Sequence, residues 1–218
     1  MLRLRDLPGV LAFWLAKKIL PADTFKKLVA REKATAFSLA TVWDEKLLGE
    51  LYRSILTAIR GAQTVAEWKV AADKILAGFG GRVYSGETFS AWYADLVFRQ
   101  NTMTAYAAGR YAEMFNTEWI DRAPYWMYVT ARDERVRPEH EALDGKVFAK
   151  IDKYARQYLP PWDFNCRCQA IELDAADVAA GGYQVTSGSA TGVPPNPGWD
   201  VDRVVAIVPP ELLTGRAA

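Results

Sequence analysis

The N-terminal half of the chain spaces its hydrophobic and polar positions as amphipathic helices do, with apolar residues three or four apart. The clearest stripe is formed by Leu47, Leu51, Ile55 and Ile59. A later helix opens on Thr64-Val-Ala-Glu67, a capping box. Helices are predicted over residues 8–20, 44–60, 64–78 and 87–115. Together they predict a bundle-like helical body over residues 1–122.

The pattern changes at Pro124. Residues 125–130 are rich in strand formers, and 146–148 and 167–173 are further strand candidates. Pro138 is suited to the first position of a short helix, which Gly145 can close. The sequence therefore predicts a small α+β module with a short antiparallel sheet over residues 123–175.

Residues 176–218 are rich in Gly, Ser and Pro, and they predict an extended C-terminal tail. The tail also contains Trp199 and an apolar run over 204–208. Two arrangements are open for these residues. They either pack back on the domain or form a strap that orders on a neighbouring subunit. The predicted fold class is thus α+β, in the order helical body, module and tail.

Composition narrows the class of protein. Half of the 218 residues are hydrophobic and the formal net charge is +1, which is typical of a soluble globular chain. No apolar run approaches the roughly 20 residues that cross a bilayer, and no cleavable signal pattern is found. We therefore expect cytoplasmic synthesis and no membrane contact.

The formal net charge of +1 argues against a protein dedicated to binding duplex DNA, because such proteins are usually strongly basic. A local cluster of Arg132, Arg135 and Arg137 is nevertheless a candidate for contact with nucleic acid. Acidic residues interrupt this cluster, so a solvated surface of mixed charge is the alternative.

The best soft metal ligands of the chain are concentrated in one stretch. The single histidine, His140, lies within thirty residues of the two cysteines, Cys166 and Cys168. Imidazole and thiolates bind zinc, and a carboxylate of Asp133 or Asp144 is a candidate fourth ligand. A zinc ion would also stabilise a module whose core is small.

Two other interpretations of the cluster are open. A disulfide across Cys166-Arg-Cys168 would be strained. Buried thiols beside a hydrogen-bonded core histidine need no metal at all. A catalytic Cys–His pair is not favoured, because the cysteines follow Pro160-Pro161 and an irregular loop rather than a helix start.

An ordered series of motifs resembles the Mu F-like minor head proteins, the head-morphogenesis proteins of tailed bacteriophages. The series covers roughly residues 99–172. Its parts are Asn101-x-x-Thr104-Ala105-Tyr106-x-x-Gly109-Arg110, Pro124-Tyr125-Trp126-x-Tyr128, Asp133-x-Arg135-x-Arg137-Pro138-x-His140, Leu143-x-Gly145-Lys146-Val147-Phe148, Tyr158-x-Pro160-Pro161 and Phe164-Asn165-Cys166-Arg167-Cys168. Trp162-Asp163 departs from the family's usual Asn-Gly turn, and the segment between Phe148 and Pro160 also differs.

The resemblance implies structural roles for several motif residues: Asn101, Arg110, Arg135, Arg137, Gly145 and Asn165. It also implies a minor structural protein of the phage head, made in the host cytoplasm and located in the virion near the portal vertex. The implied partners are the portal protein, the major capsid protein and packaged DNA, and the implied role is head assembly with DNA packaging or delivery rather than catalysis.

The alternative from a different class is a metal-dependent hydrolase or nuclease that uses His140, Cys166, Cys168 and Asp133. A catalytic zinc normally keeps one coordination position open to water, whereas a structural zinc has four protein ligands. The occupant of the fourth position therefore distinguishes the two classes.

Overall fold

The computed structural model describes residues 8–42, 44–80 and 89–214. The chain forms two compact units, Met1–Gly109 and Arg110–Ala218. The boundary between the units lies within one helix, Ala91–Met114.

Unit 1 is mainly helical. Its elements are α1 (Pro8–Ala16), β1 (Lys18–Ile19), α2 (Ala22–Lys26), α3 (Ala30–Ala34), β2 (Ala36–Phe37), α4 (Glu45–Gly61), α5 (Val65–Gly78) and the first part of α6 (Ala91–Met114). The helices predicted over 44–60 and 64–78 are confirmed. The predicted start of the last helix at residue 87 lies outside the described residues.

Local side chains define where the two central helices begin. The Asp44 carboxylate accepts hydrogen bonds from the amides of Lys46 and Leu47, at 2.8 and 2.9 Å, so it caps α4. At the start of α5 the amide of Glu67 donates to the Thr64 hydroxyl, and the Glu67 carboxylate accepts from the Thr64 amide at 2.7 Å. The predicted capping box is therefore confirmed.

The first helix is shorter than predicted. It ends at Ala16 because the next residues pair with β2 instead of continuing the helix. The amide of Lys18 donates to the carbonyl of Thr35 at 3.0 Å, and the Lys17 ammonium donates to the carbonyls of Ala34 and Ala36. Long-range backbone pairing has overridden a local helical preference.

Unit 2 contains a three-stranded antiparallel sheet in the order β4-β3-β5. The strands are β3 (Tyr125–Val129), β4 (Val147–Ala149) and β5 (Gln169–Leu173), and the helix α7 (Pro138–Glu141) lies between the first two. Trp126 pairs with Phe148 on one side, and Tyr128 pairs with Ala170 on the other. All three predicted strands are confirmed, as is the α+β class.

The segment after β5 is folded and differs from the predicted extended tail. It includes α8 (Ala175–Ala180), α9 (Arg203–Ile207) and short 3-10 turns. Five apolar side chains of its described part are buried: Val193, Val204, Ala206, Ile207 and Val208. Tyr158 donates a hydrogen bond to the carbonyl of Val193 at 2.6 Å, and the amide of Gly188 donates to Asp152 at 2.7 Å.

Of the two arrangements open for this segment, the structure has the one in which it packs back on its own unit. Burial of its apolar run outweighs the flexibility of the Gly, Ser and Pro residues around it. The predicted domain boundaries after residues 122 and 175 remain predictions. None of the helices in the described part of the chain is long and apolar enough to cross a membrane.

Candidate functional site

His140, Cys166 and Cys168 meet in the interior of unit 2. His140 lies on α7, a single turn that Pro138 opens, and the cysteines lie in the loop that leads into β5. The Nδ1 atom of His140 is 3.4 Å from Sγ of Cys168 and 3.7 Å from Sγ of Cys166. The candidate ligand atoms of the three residues all lie within 4.8 Å of one another, and all three side chains are buried. We call this group the His/Cys cluster.

Two aromatic side chains fix the orientation of the imidazole. The ring of His140 stacks on Trp162, with centroids 4.3 Å apart and planes inclined by 17°. The indole N–H of Trp162 donates to the Tyr128 hydroxyl at 2.8 Å, and that hydroxyl lies 2.9 Å from Nδ1 of His140. Packing and hydrogen bonding thus hold Nδ1 toward the two sulfurs.

The two cysteines are free thiols, so the disulfide interpretation does not describe this structure. A hydrogen bond from Cys166 lowers the pKa of the Cys168 thiol, and the same interaction, with burial, raises the pKa of Cys166. Cys168 is therefore the sulfur that carries negative charge more readily.

Asp133, predicted as a fourth metal ligand, does not belong to the His/Cys cluster in the described structure. Its two carboxylate oxygens bind the guanidinium of Arg167, at 2.5 and 2.6 Å, and one of them also accepts from the amide of Arg135 at 3.1 Å. The hydrogen bonds from Arg167 lower the pKa of Asp133 to about 2. A carboxylate so fully engaged is a structural partner of Arg167, which is the physical reason that Asp133 lies apart from the other three predicted ligands.

Asp144, the other carboxylate considered for the fourth position, also has a structural role. It accepts hydrogen bonds from the amide and hydroxyl of Thr130, at 2.8 and 3.1 Å, and from the guanidinium of Arg132 at 3.1 Å. These contacts connect the end of β3 to the turn before β4.

A small cleft of about 20 Å³ adjoins the His/Cys cluster. All three cluster residues line it, together with residues that include Arg135, Arg137, Asn165 and Arg167. A volume of this size holds about one water molecule. The cleft therefore admits solvent to the cluster.

The three arginines considered for nucleic-acid contact each have a local acidic partner. Arg132 binds Asp144, Arg135 lies 3.7 Å from Asp133, and Arg137 binds Asp163 at 3.1 Å. A second nitrogen of Arg137 donates to the carbonyl of Phe164 at 2.7 Å. This surface is one of mixed charge, and contact with DNA remains a prediction.

The motif residues outside the cluster contribute to local structure. The Asn101 amide donates to the carbonyl of Val97 one turn earlier in α6, at 2.8 Å, and Arg110 reaches the sulfur of Met114. Gly145 has a φ of 75°, which only glycine adopts readily, and its amide donates to the carbonyl of Tyr128 at 2.8 Å. Asn165 also has a positive φ, 57°, directly before the first cysteine.

The sequence alone does not indicate that Tyr128 and Trp162 are partners of His140. A signal for Tyr128 was present, because the strand alternates and places Trp126 and Tyr128 on its buried side. The sequence pattern places Trp162 in a loop, outside the family motifs, whereas the residue is buried and contacts His140 directly. An apolar Pro160-Pro161-Trp162 run in a loop was the available signal of burial.

Comparison with known proteins identifies the class. The family model described as "Phage Mu protein F like protein" matches residues 49–171, more than half of the chain. The chain therefore belongs to the family of phage Mu protein F-like proteins.

Two relatives show the same affiliation. Over 93 residues, 43% of this chain, it is 45% identical to the "Putative capsid assembly protein F" of Escherichia phage Mu. Over 91 residues, 42% of this chain, it is 38% identical to the "Mu-like prophage FluMu F protein" of Haemophilus influenzae. The matches cover 21% and 22% of those proteins, so the chain spans about a fifth of their length. No solved structure matches the chain.

Proposed function

We propose that this protein is a minor head protein of a tailed phage, bound near the portal vertex, that aids head assembly and the packaging or delivery of DNA. The observation that carries the proposal is membership of the phage Mu protein F-like family over residues 49–171. The name of the relative from Escherichia phage Mu points to capsid assembly. The proposed location is the virion, and the proposed partners are the portal protein and the major capsid protein.

The geometry of the His/Cys cluster supports a structural role over the hydrolase or nuclease alternative. Catalysis on a polymer needs a cleft that holds the scissile bond beside the reactive group. Cys166, Cys168 and His140 are largely buried, which favours a structural role over direct attack on a polymer substrate.

Exposed aromatic side chains on α6 supply a candidate contact surface in unit 1. Trp92 is 67% exposed and Tyr106 is 43% exposed. The two residues are fourteen positions apart, which places them on the same side of a helix with 3.6 residues per turn. Exposed aromatic residues are enriched at protein–protein interfaces, so this side of α6 is a suitable place for a head component to bind.

The test is genetic and uses the phage that encodes the chain. We expect an amber mutation in the gene to reduce the yield of DNA-filled heads, and full-length protein supplied in trans to restore it. Purified particles should contain the protein, and cryo-electron microscopy should place it at the portal vertex. Normal numbers of infectious particles without the protein would contradict the proposed function.

A pair of substitutions tests the α6 surface separately. We expect Trp92→Ala to reduce incorporation into particles, since it removes a large exposed ring without disturbing the core. Val29→Ala is the matched control, because Val29 is 65% exposed and lies outside the matched region. Equal incorporation of the two variants would show that Trp92 is not part of the attachment surface.

A further inference from the structure

We propose that His140, Cys166 and Cys168 bind one zinc ion through Nδ1 and two thiolates, with a water molecule from the adjoining cleft as the fourth ligand. The three protein ligands would cross-link α7 to the cysteine loop within unit 2, and the fourth position, occupied by water, has the coordination that a catalytic zinc also keeps. It is independent of the role in the phage head, because it rests on the geometry of the cluster alone.

The distances between the donor atoms suit a tetrahedral ion. With Zn–S distances of about 2.3 Å and Zn–N distances of about 2.0–2.1 Å, ligand atoms in a tetrahedron lie roughly 3.5–3.8 Å apart. The observed N–S distances are 3.4 and 3.7 Å. All three donors, moreover, lie within 4.8 Å of one another. Little movement is needed to close the site on an ion.

Hydrogen bonding alone does not explain why three groups converge on one nitrogen. Nδ1 of His140 faces the sulfurs of Cys166 and Cys168 and the hydroxyl of Tyr128. A ring nitrogen carries either one lone pair or one proton, so it forms one strong hydrogen bond. A metal ion bound to Nδ1 and both sulfurs satisfies the two cysteines together, and the Tyr128 hydroxyl, which accepts from Trp162, then donates to the Cys168 sulfur.

The Cys-Arg-Cys spacing also suits chelation here. Cys166 and Cys168 both point into the cluster, whereas Arg167 between them reaches outward to Asp133. The ion pair between Arg167 and Asp133 connects the cysteine loop to the segment that precedes α7. It therefore fixes on the outside the same two segments that the zinc would join on the inside.

The surroundings of the His/Cys cluster favour water as the fourth ligand. The carboxylates of Asp133 and Asp144 are both engaged by arginines and backbone amides. The cleft is lined by all three cluster residues and is large enough for one water molecule. Solvent in that cleft therefore completes the tetrahedron.

The test is metal binding by the full chain, purified in reduced form without a histidine tag. Mass spectrometry of the metal content should find about one zinc per chain. Cobalt(II) added to metal-free protein should give the visible bands of a tetrahedral site and a thiolate-to-cobalt charge-transfer band, and zinc should abolish both. Failure of the wild-type protein to bind cobalt with a thiolate signature would overturn the proposal without recourse to variants.

Variants assign the ligands. We expect Cys166→Ser, Cys168→Ser and His140→Ala each to weaken zinc binding more than tenfold, because each removes one of three protein ligands. Asp133→Asn is the comparison and should weaken zinc binding far less than the ligand variants, because it loosens the ion pair with Arg167 without removing a donor to the ion. Loss of zinc in Asp133→Asn to the same extent as in the cysteine variants would refute the proposed ligand set. Undiminished zinc in Cys166→Ser and Cys168→Ser would identify an adventitious ion.

Discussion

The imidazole of His140 lies against the indole of Trp162, with the ring centroids 4.3 Å apart. The same indole donates a hydrogen bond to Tyr128, whose hydroxyl lies 2.9 Å from Nδ1 of His140. Trp162 thus determines the position of the imidazole in two ways, by stacking and through Tyr128. Nδ1 of His140 is therefore already held in the position at which Cys166 and Cys168 contact it.

Removal of the indole should destabilise unit 2. Trp162 is buried, so Trp162→Ala should lower the free energy of unfolding by about 3–5 kcal/mol, the usual result of deleting a large buried aromatic side chain. Trp162→Phe keeps much of the ring contact but removes the N–H donor. It should therefore lower the free energy of unfolding by less than Trp162→Ala does. Urea denaturation followed by circular dichroism measures both values. Equal losses for the two variants would show that the ring volume contributes little.

The ammonium of Lys150 is a second buried polar group whose removal should be costly. The side chain is fully buried, and Nζ lies 2.6 Å from both the Glu172 carboxylate and the carbonyl of Met114. Lys150→Met keeps the apolar stem but leaves both acceptors without a donor, so we expect a loss of about 1–3 kcal/mol in the free energy of unfolding. Lys153→Met is the control, because Lys153 is exposed and should tolerate the change. Similar stability of the two variants would contradict the importance of the buried ion pair.

The ion pair between Asp133 and Arg167 predicts a dependence of stability on pH. Its hydrogen bonds lower the pKa of Asp133 to about 2 in the folded state, below the value of about 3.9 in an unfolded chain. The carboxylate form is therefore favoured by folding. The stabilisation is present above about pH 4 and is lost as the pH falls toward 2.

Asp133→Asn isolates this effect. We expect the wild-type protein to be more stable than the variant near neutral pH, and the difference to shrink between about pH 4 and pH 2. Because the pair is partly exposed, added salt should also reduce the difference. Urea denaturation across this pH range gives the comparison. A difference that stays constant with pH would mean that the Asp133 carboxylate does not stabilise the fold through its charge.

The sequence was most informative where local rules determine the structure. The cap at Asp44, the capping box at Thr64 and Glu67, and the alternation that defines β3 are all local patterns, and each is confirmed. The proximity of His140 to the cysteines was also predictable from their concentration in one stretch. The sequence does not indicate which partner each carboxylate binds: Asp133 binds Arg167, and Asp144 binds Arg132.

That choice depends on tertiary geometry. Asp133 and Arg167 are thirty-four residues apart and meet only when the cysteine loop is in place. The same limit applies to the C-terminal segment, where Gly, Ser and Pro residues indicated flexibility but the burial of Val204 and Ile207 determines the fold. A pattern of flexible residues describes local preference, and it does not show where an apolar run becomes buried.

The packing of the C-terminal segment can be tested at one glycine. A Cβ atom on Gly188 would lie 2.1 Å from the backbone nitrogen of Ala155 and 2.5 Å from the carbonyl carbon of Tyr154. Backbone atoms of the neighbouring 3-10 turn cannot move aside cheaply, so Gly188→Ala should lower the free energy of unfolding by about 1–3 kcal/mol or displace the segment. Ser189→Ala, at the next and exposed position, is the matched control.

Deletion of the segment after Asp174 should have a larger effect than the point substitution. It would expose the surface that now buries Val193, Val204, Ile207 and Val208, and it would remove the hydrogen bond from Tyr158 to Val193. We expect the truncated protein to melt at a lower temperature and its remaining unit 2 amides to exchange with solvent faster. Gly188→Ala and the truncation would both leave stability unchanged if the segment were a strap that orders only on a neighbouring subunit. A loss of stability in both, with Ser189→Ala unaffected, would establish that residues 176–214 are an integral part of unit 2.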